Sequence, residues 1–188
     1  MRIVAGAHKG RAITAPKGDK TRPTTDRVRE SVFNKLTHAQ WGVELEGLRV
    51  MDLFAGSGAL GLEAISRGAS FALFVETDPA ARGAIRTNVD ALQLFGCTKL
   101  HRRSATDLGP KPANMGTPFD LVFLDPPYAQ GLGDTALARL VEGAWVKDDA
   151  IAVLEERKGV EVTAKGWELL DTLEAGDTVV RFFRRIPS

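Results

Sequence analysis

The chain has 188 residues, 44% of them hydrophobic and 26% charged, with a net charge of +1; these values suit one globular domain with a sizeable core. Its longest apolar runs, such as Leu121 to Leu124, are too short to span a bilayer, and the basic N-terminus lacks the apolar stretch of a secretory signal. A single cysteine, Cys97, excludes an internal disulfide and, with no Cys or His neighbours, a zinc site, so a cytoplasmic protein without a metal is expected.

Positive charge is concentrated at the front. Residues 1–36 hold nine Lys or Arg against three acids, a balance of +6 that leaves −5 for the rest of the chain. A basic arm on a near-neutral body points to a polyanion partner, with a solvated tail as the plain alternative. Residues 1–25 are rich in Gly, Pro, Lys and Arg, with short strand-like pieces at 2–5 and 11–14. A helix follows: Val28, Val32, Phe33 and Leu36 fall on one face, and Thr24 or Thr25 can cap its start.

From residue 48 strands and helices alternate. Residues 49–54 read as a buried strand that runs into a turn in which Gly56, Gly58 and Gly61 satisfy G-x-G-x-x-G, and a helix continues through Ser66. Glycines at this spacing let the backbone turn tightly and approach a nucleotide closely. A second strand, 70–75, ends at Glu76, twenty residues past Gly56, where a carboxylate can accept hydrogen bonds from ribose hydroxyls. The pattern fits a nicotinamide dinucleotide as well as a methyl donor. Asp52, four residues before Gly56, favours the donor, because S-adenosylmethionine has no pyrophosphate but carries an ammonium group that an acid suits.

A helix over 79–95 and a short strand over 99–103 come next, then a strand over 120–124 that runs into Asp125-Pro126-Pro127-Tyr128. The carboxyl end of a strand is where open α/β sheets bind ligands. A purine amino group is a poor nucleophile because its lone pair is delocalised into the ring. Two acceptors aimed at its hydrogens favour the tetrahedral geometry that attack on a methyl sulfonium requires. Asp125 can supply one and the Pro126 carbonyl the other, while the prolines fix φ and hold that carbonyl in place. Tyr128 offers a flat face for a flipped base. A helix over 132–146, a strand over 150–155 and two strands over 167–172 and 178–186 around Gly176-Asp177 complete the chain. The whole reads as a Rossmann-like, doubly wound α/β sheet, mostly parallel, with an antiparallel C-terminal hairpin and a short basic N-terminal extension. Residues 1–40 are expected to form the extension and its helix, and 41–188 the catalytic domain, in one structural unit. His8, His38 and His101 sit in no acid–base constellation.

These motifs match amino-group methyltransferases of the class I fold. Gly10-Arg11 and the block Arg22-Pro23-Thr24-Thr25-Asp26-Arg27-Val28-Arg29-Glu30-Ser31-Val32-Phe33-Asn34 closely resemble the N-terminal signature of the ribosomal small-subunit methyltransferase D (RsmD) family. The segments 52–64 and 125–128 fit the same family. The resemblance implies methyl transfer from S-adenosyl-L-methionine to the exocyclic N2 amine of a guanine in bacterial 16S rRNA, within the small ribosomal subunit or its assembly intermediate, by a monomer. It implies that Asp52, Phe54, Ala55, Gly56, Ser57, Gly58, Glu76 and Thr77 hold the donor, with Ser104 and Ala105 by its adenine. Asp125, Pro126 and Tyr128 would be catalytic; Lys9, Arg11, Arg22, Thr24, Asp26, Arg29 and Pro127 would contact substrate. Related enzymes often carry an acid where Ser104 stands. The rival readings are an adenine-N6 methyltransferase acting on DNA or RNA and a non-catalytic RNA-binding assembly factor; a nicotinamide oxidoreductase leaves Asp125 to Tyr128 unexplained.

Overall fold

Alternating apolar strands and amphipathic helices assemble into one sheet covered on both faces. The computed structural model describes residues 1–17 and 25–187. In chain order the elements are α1 (Asp26–His38), β1 (Arg49–Leu53), α2 (Ala59–Ser66), β2 (Phe71–Val75), α3 (Pro79–Leu92), β3 (Thr98–His101), β4 (Phe119–Leu124), α4 (Leu132–Glu142), β5 (Val146–Arg157), β6 (Trp167–Ala175) and β7 (Thr178–Arg185). The seven strands lie in the order β3-β2-β1-β4-β5-β7-β6; β7 runs antiparallel to β5 and β6, and the other pairs are parallel. This is the expected class I methyltransferase arrangement.

Strand periodicity divides the core in two. Along β1, Val50 packs in the layer built from α1, α2 and α3, whereas Met51 and Leu53 pack in the layer built from α4 and the segment before β4. Ile3 and Ile13 of the N-terminal segment join the first layer, so that segment is fastened to the domain. Of the two strand-like pieces expected there, a single antiparallel bridge forms, between Arg2 and Ala12.

Helix ends differ from expectation where backbone chemistry intervenes. Thr25 caps α1 by accepting the Val28 N–H at 3.2 Å; its rival Thr24 lies outside the described residues. α3 stops at Leu92 because Gln93 turns left-handed, with φ of 58°. α4 stops at Glu142, not 146, and Val146 already belongs to β5, where it pairs with Phe119.

Parallel register places the strand ends together. Leu53 is level with Val75 on one side and Leu124 on the other, and Val75 is level with His101. Chain order reverses between β1 and β4, the position where open sheets leave a crevice for ligand.

Candidate active site

A cavity of about 890 Å³ opens over this crevice. It is lined by Asp52, Phe54, Ala55, Gly56 and Ser57 from the end of β1 and its turn, Glu76 and Thr77 after β2, Ser104 after β3, and Asp125 to Tyr128 after β4. Twelve residues expected at the site thus meet on one wall system, although they come from four separate strand ends.

Asp52 lies on the α2 side of the sheet and is 1% exposed. Its Oδ2 accepts the Gly61 N–H at 3.0 Å, which satisfies one of the orphan donors in the first turn of α2. Burial pushes the carboxyl up to about 8; the Gly61 hydrogen bond opposes the rise, and the Glu76 charge adds to it. A carboxylate so placed favours a cationic partner. α2 can approach this closely because residue 61 is glycine: a Cβ there would stand 2.5 Å from Phe74 and 3.3 Å from the Asp52 Cβ. Gly58 is the left-handed N-cap of α2, with φ of 81°, and shapes the turn from behind without lining the cavity.

Glu76 fixes the opposite wall. Its Oε1 accepts the Gly56 N–H at 2.8 Å, and its Oε2 accepts the N–H groups of Thr77 and Asp78 at 2.9 and 3.0 Å. A carboxylate has about four lone-pair positions, so three backbone donors leave acceptor capacity for one further hydroxyl, not for two. A Cβ on Gly56 would meet nothing within 4 Å, so no neighbouring group blocks that part of the turn. An apolar-floored cleft with a buried acid for an ammonium and an acceptor for a ribose fits S-adenosylmethionine.

The Asp-Pro-Pro-Tyr segment is held from β5 and β7. Asp125 is half-buried, Pro126 buried and Pro127 exposed. The Tyr128 hydroxyl lies 2.9 Å from the Thr178 hydroxyl at the start of β7. Glu156, 2% exposed, accepts the Ala129 N–H at 3.1 Å and the Arg157 N–H at 2.8 Å. Neither Thr178 nor Glu156 was foreseen, because both contacts join segments far apart in sequence.

The expectations for Arg29, Asp26 and Ala105 are corrected. Arg29, expected on substrate, is fully buried: it donates to Glu63 at 3.1 Å, to Asp26 at 2.9 Å and to the Arg2 carbonyl. Asp26 also accepts the Arg2 N–H at 3.2 Å, so it organises the arm and does not line the cavity. Lys9 and Arg11 are exposed but away from the cavity, and Arg11 donates to the Ala91 carbonyl at 2.7 Å. Ala105 packs in the core, and Thr106, whose hydroxyl is 2.8 Å from that of Ser104, lines the wall in its place. Arg22 and Thr24 lie outside the described residues. Conversely, Met1, Ala15, Pro16 and Lys17 line the cavity, a placement set by long-range hydrogen bonds that carry no sequence signature. Among the described residues no three His, Cys, Asp or Glu gather as a metal site, and no helix is long and apolar enough to cross a membrane.

Comparison with known proteins agrees with this geometry. Residues 1–184 match the family model described as Conserved hypothetical protein 95. The chain is 37% identical to YlbH of Bacillus subtilis, an rRNA methyltransferase candidate, over 92% of this chain and 91% of that protein. It is 34% identical to Ribosomal RNA small subunit methyltransferase D of Escherichia coli, over 98% of this chain and 90% of that protein. The solved structure of Escherichia coli yhhF superposes with a TM-score of 0.83 at 34% identity, covering 100% of this chain and 99% of that one.

Proposed function

The chain belongs to the Conserved hypothetical protein 95 family, that of the ribosomal RNA small subunit methyltransferases D, and on that premise we propose that it methylates the exocyclic N2 amine of a guanine in bacterial 16S rRNA. The observation that carries this reading is the meeting of Asp52, Glu76 and Asp125 to Tyr128 around one cavity at the carboxyl edge of the sheet. A small-subunit rRNA substrate is supported by the relatives that carry the Ribosomal RNA small subunit methyltransferase D name at about one-third identity, and the guanine amine by the fit of Asp125 to Tyr128 to an exocyclic amino group.

S-adenosyl-L-methionine, when bound, supplies an electrophilic methyl on sulfur. Asp52 is suited to hold its ammonium group, and Glu76 Oε1 one ribose hydroxyl. Phe54, Ala55, Gly56, Ser57 and Thr77 form the adjoining wall, and Ser104 with Thr106 borders the adenine. On the substrate side, Asp125 accepts one hydrogen of the guanine amino group and the Pro126 carbonyl the other. The nitrogen lone pair is thereby directed at the methyl group. As the N–C bond formed, the donor's S–C bond would break and leave a neutral thioether; the positive charge growing on nitrogen would make the Asp125 carboxylate more stabilising, which is the differential binding that lowers the barrier. The methylated nitrogen is acidic and loses its proton readily, so Asp125 need not be a strong base beforehand. Tyr128, with its hydroxyl on Thr178, presents its ring beside the base, and Pro127 is exposed at the same rim.

Asp125→Asn keeps the shape, removes the charge and can place an NH2 where an acceptor is needed. The methyl-transfer rate should fall by roughly a hundredfold or more, the scale of losing one preorganised electrostatic partner. Donor binding should stay near the parental value because Asp52 and Glu76 are untouched. Single-turnover kinetics on small subunits, paired with calorimetry of the donor, reads both. Transfer at the parental rate would remove Asp125 from the mechanism.

A further inference from the structure

Asn88, in α3, does not itself line the cavity, yet it joins two segments that do. It is 2% exposed. Its side-chain oxygen accepts the Thr14 N–H at 2.8 Å, and its amino group donates to the Thr14 carbonyl at 3.0 Å and the Ser57 carbonyl at 2.9 Å. Thr14 is therefore gripped through both its backbone groups, as a neighbouring strand would grip it, by the same planar amide that holds the glycine-rich turn. Ser57 lies on the cavity wall, and Thr14 leads directly into Ala15, Pro16 and Lys17, which form another part of that wall. An Asn amide can make about four hydrogen bonds. With three spent on these two segments, a change in the Ser57 carbonyl position must turn the amide plane and carry Thr14 with it.

We propose that Asn88 is a positioning residue that couples occupancy of the methyl-donor cavity to the placement of segment 14–17, and so prepares the basic arm for its polyanion when donor is bound. The identity of the donor rests on the functional reading above. Lys17 fits this role: its exposed ammonium suits a phosphate and not a cationic donor. The coupling is reciprocal, so a polyanion that orders the arm must also tighten the donor site. Buried position and three hydrogen bonds give Asn88 a cost if either partner shifts alone, which is what makes one amide able to transmit a displacement.

Backbone hydrogen exchange of residues 12–17, with and without S-adenosylhomocysteine, tests this without perturbing the protein. In the parent, ligand should slow exchange of this segment by about fivefold or more, the lower range of coupling between sites. In Asn88→Ala the segment should exchange fast and ignore the ligand, while calorimetry still detects ligand binding. Asn88→Asp serves if the alanine variant does not fold: its carboxylate still accepts the Thr14 N–H but can donate to neither the Thr14 nor the Ser57 carbonyl, so the Thr14 amide should keep part of its protection without responding to ligand. A parental segment that ignores bound ligand, or an Asn88→Ala segment that responds as the parent does, overturns the coupling; the latter result would assign the response to direct contact of ligand with Ala15 to Lys17. Absence of ligand binding to the parent is a different failure, that of the donor assignment itself.

Discussion

Asp52 is a carboxylate that its own fold has removed from water, and its titration can be used to test the proposed ammonium partner. Without a cation beside it, burial raises the group from 3.8 to about 8. A cationic ammonium stabilises the charged form and lowers that value, so below about 8 binding expels a proton. Affinity for S-adenosylhomocysteine should therefore rise with pH and level off above about 8. Asp52→Asn keeps an oxygen for the Gly61 N–H and should flatten this rise; the comparison cancels any titration of the ligand's own amine. The sign for stability is opposite. A folded-state value raised above the unfolded one stabilises at low pH, and that contribution is lost across the window from 3.8 to about 8. Urea unfolding should thus show Asp52→Asn gaining on the parent as pH rises through the window, and a constant difference would mean that Asp52 is not strained by burial. The position of Asp52, four residues before Gly56, marked it in the sequence as an acid at a ligand turn. Its second task, capping α2 through a residue nine positions on, was not legible, since nothing in the spacing tells which N–H a strand-end carboxylate will face.

At the scale of elements, α1 shows where pattern reading stops short. Its apolar stripe was legible from Val28, Val32, Phe33 and Leu36, the last three buried and Val28 packed against the same core, but the stripe also takes in a fully buried Arg29. Residues 29, 32, 33 and 36 have the strict helical spacing of one face, so the signal was present. It was masked by the expectation that an arginine in a basic block faces solvent. In the structure Arg29 meets Glu63 of α2 with both side chains fully buried. Glu63 also accepts the N–H groups of Val4 and Ala5 and the Arg67 guanidinium, so one carboxylate ties α1, α2 and the N-terminal segment together. Glu63→Ala takes from buried Arg29 its only fully buried counter-charge, leaving the partly exposed Asp26, and should cost about 3 kcal/mol in urea unfolding. Lys35→Ala breaks the partly exposed pair with Asp171 and should cost at most about 1 kcal/mol. Equal costs would show that the buried cluster holds the elements no more firmly than a surface pair.

For the whole molecule, the mostly parallel sheet and its C-terminal hairpin were legible because alternation of strand and helix admits few topologies; the strand order, with β7 inserted between β5 and β6, was not. The strand ends that carry the site were legible for the same reason. The path of the N-terminal arm was not: it is set by hydrogen bonds from Thr14 to Asn88 and from Val4 and Ala5 to Glu63, more than fifty residues away. That path leaves Lys9 and Arg11 exposed, where they add to the arm's positive field. Replacing both with Ala should weaken RNA binding and reduce the slope of log affinity against log salt by about one to two, as expected for losing two phosphate contacts. An unchanged slope would make these two charges solvated bystanders. The identity of the methylated group is tested by incubating the protein with labelled S-adenosylmethionine and small ribosomal subunits that lack the modification, then digesting the rRNA to nucleosides. Label is expected in N2-methylguanosine; label in N6-methyladenosine, or none in RNA, would contradict the guanine assignment.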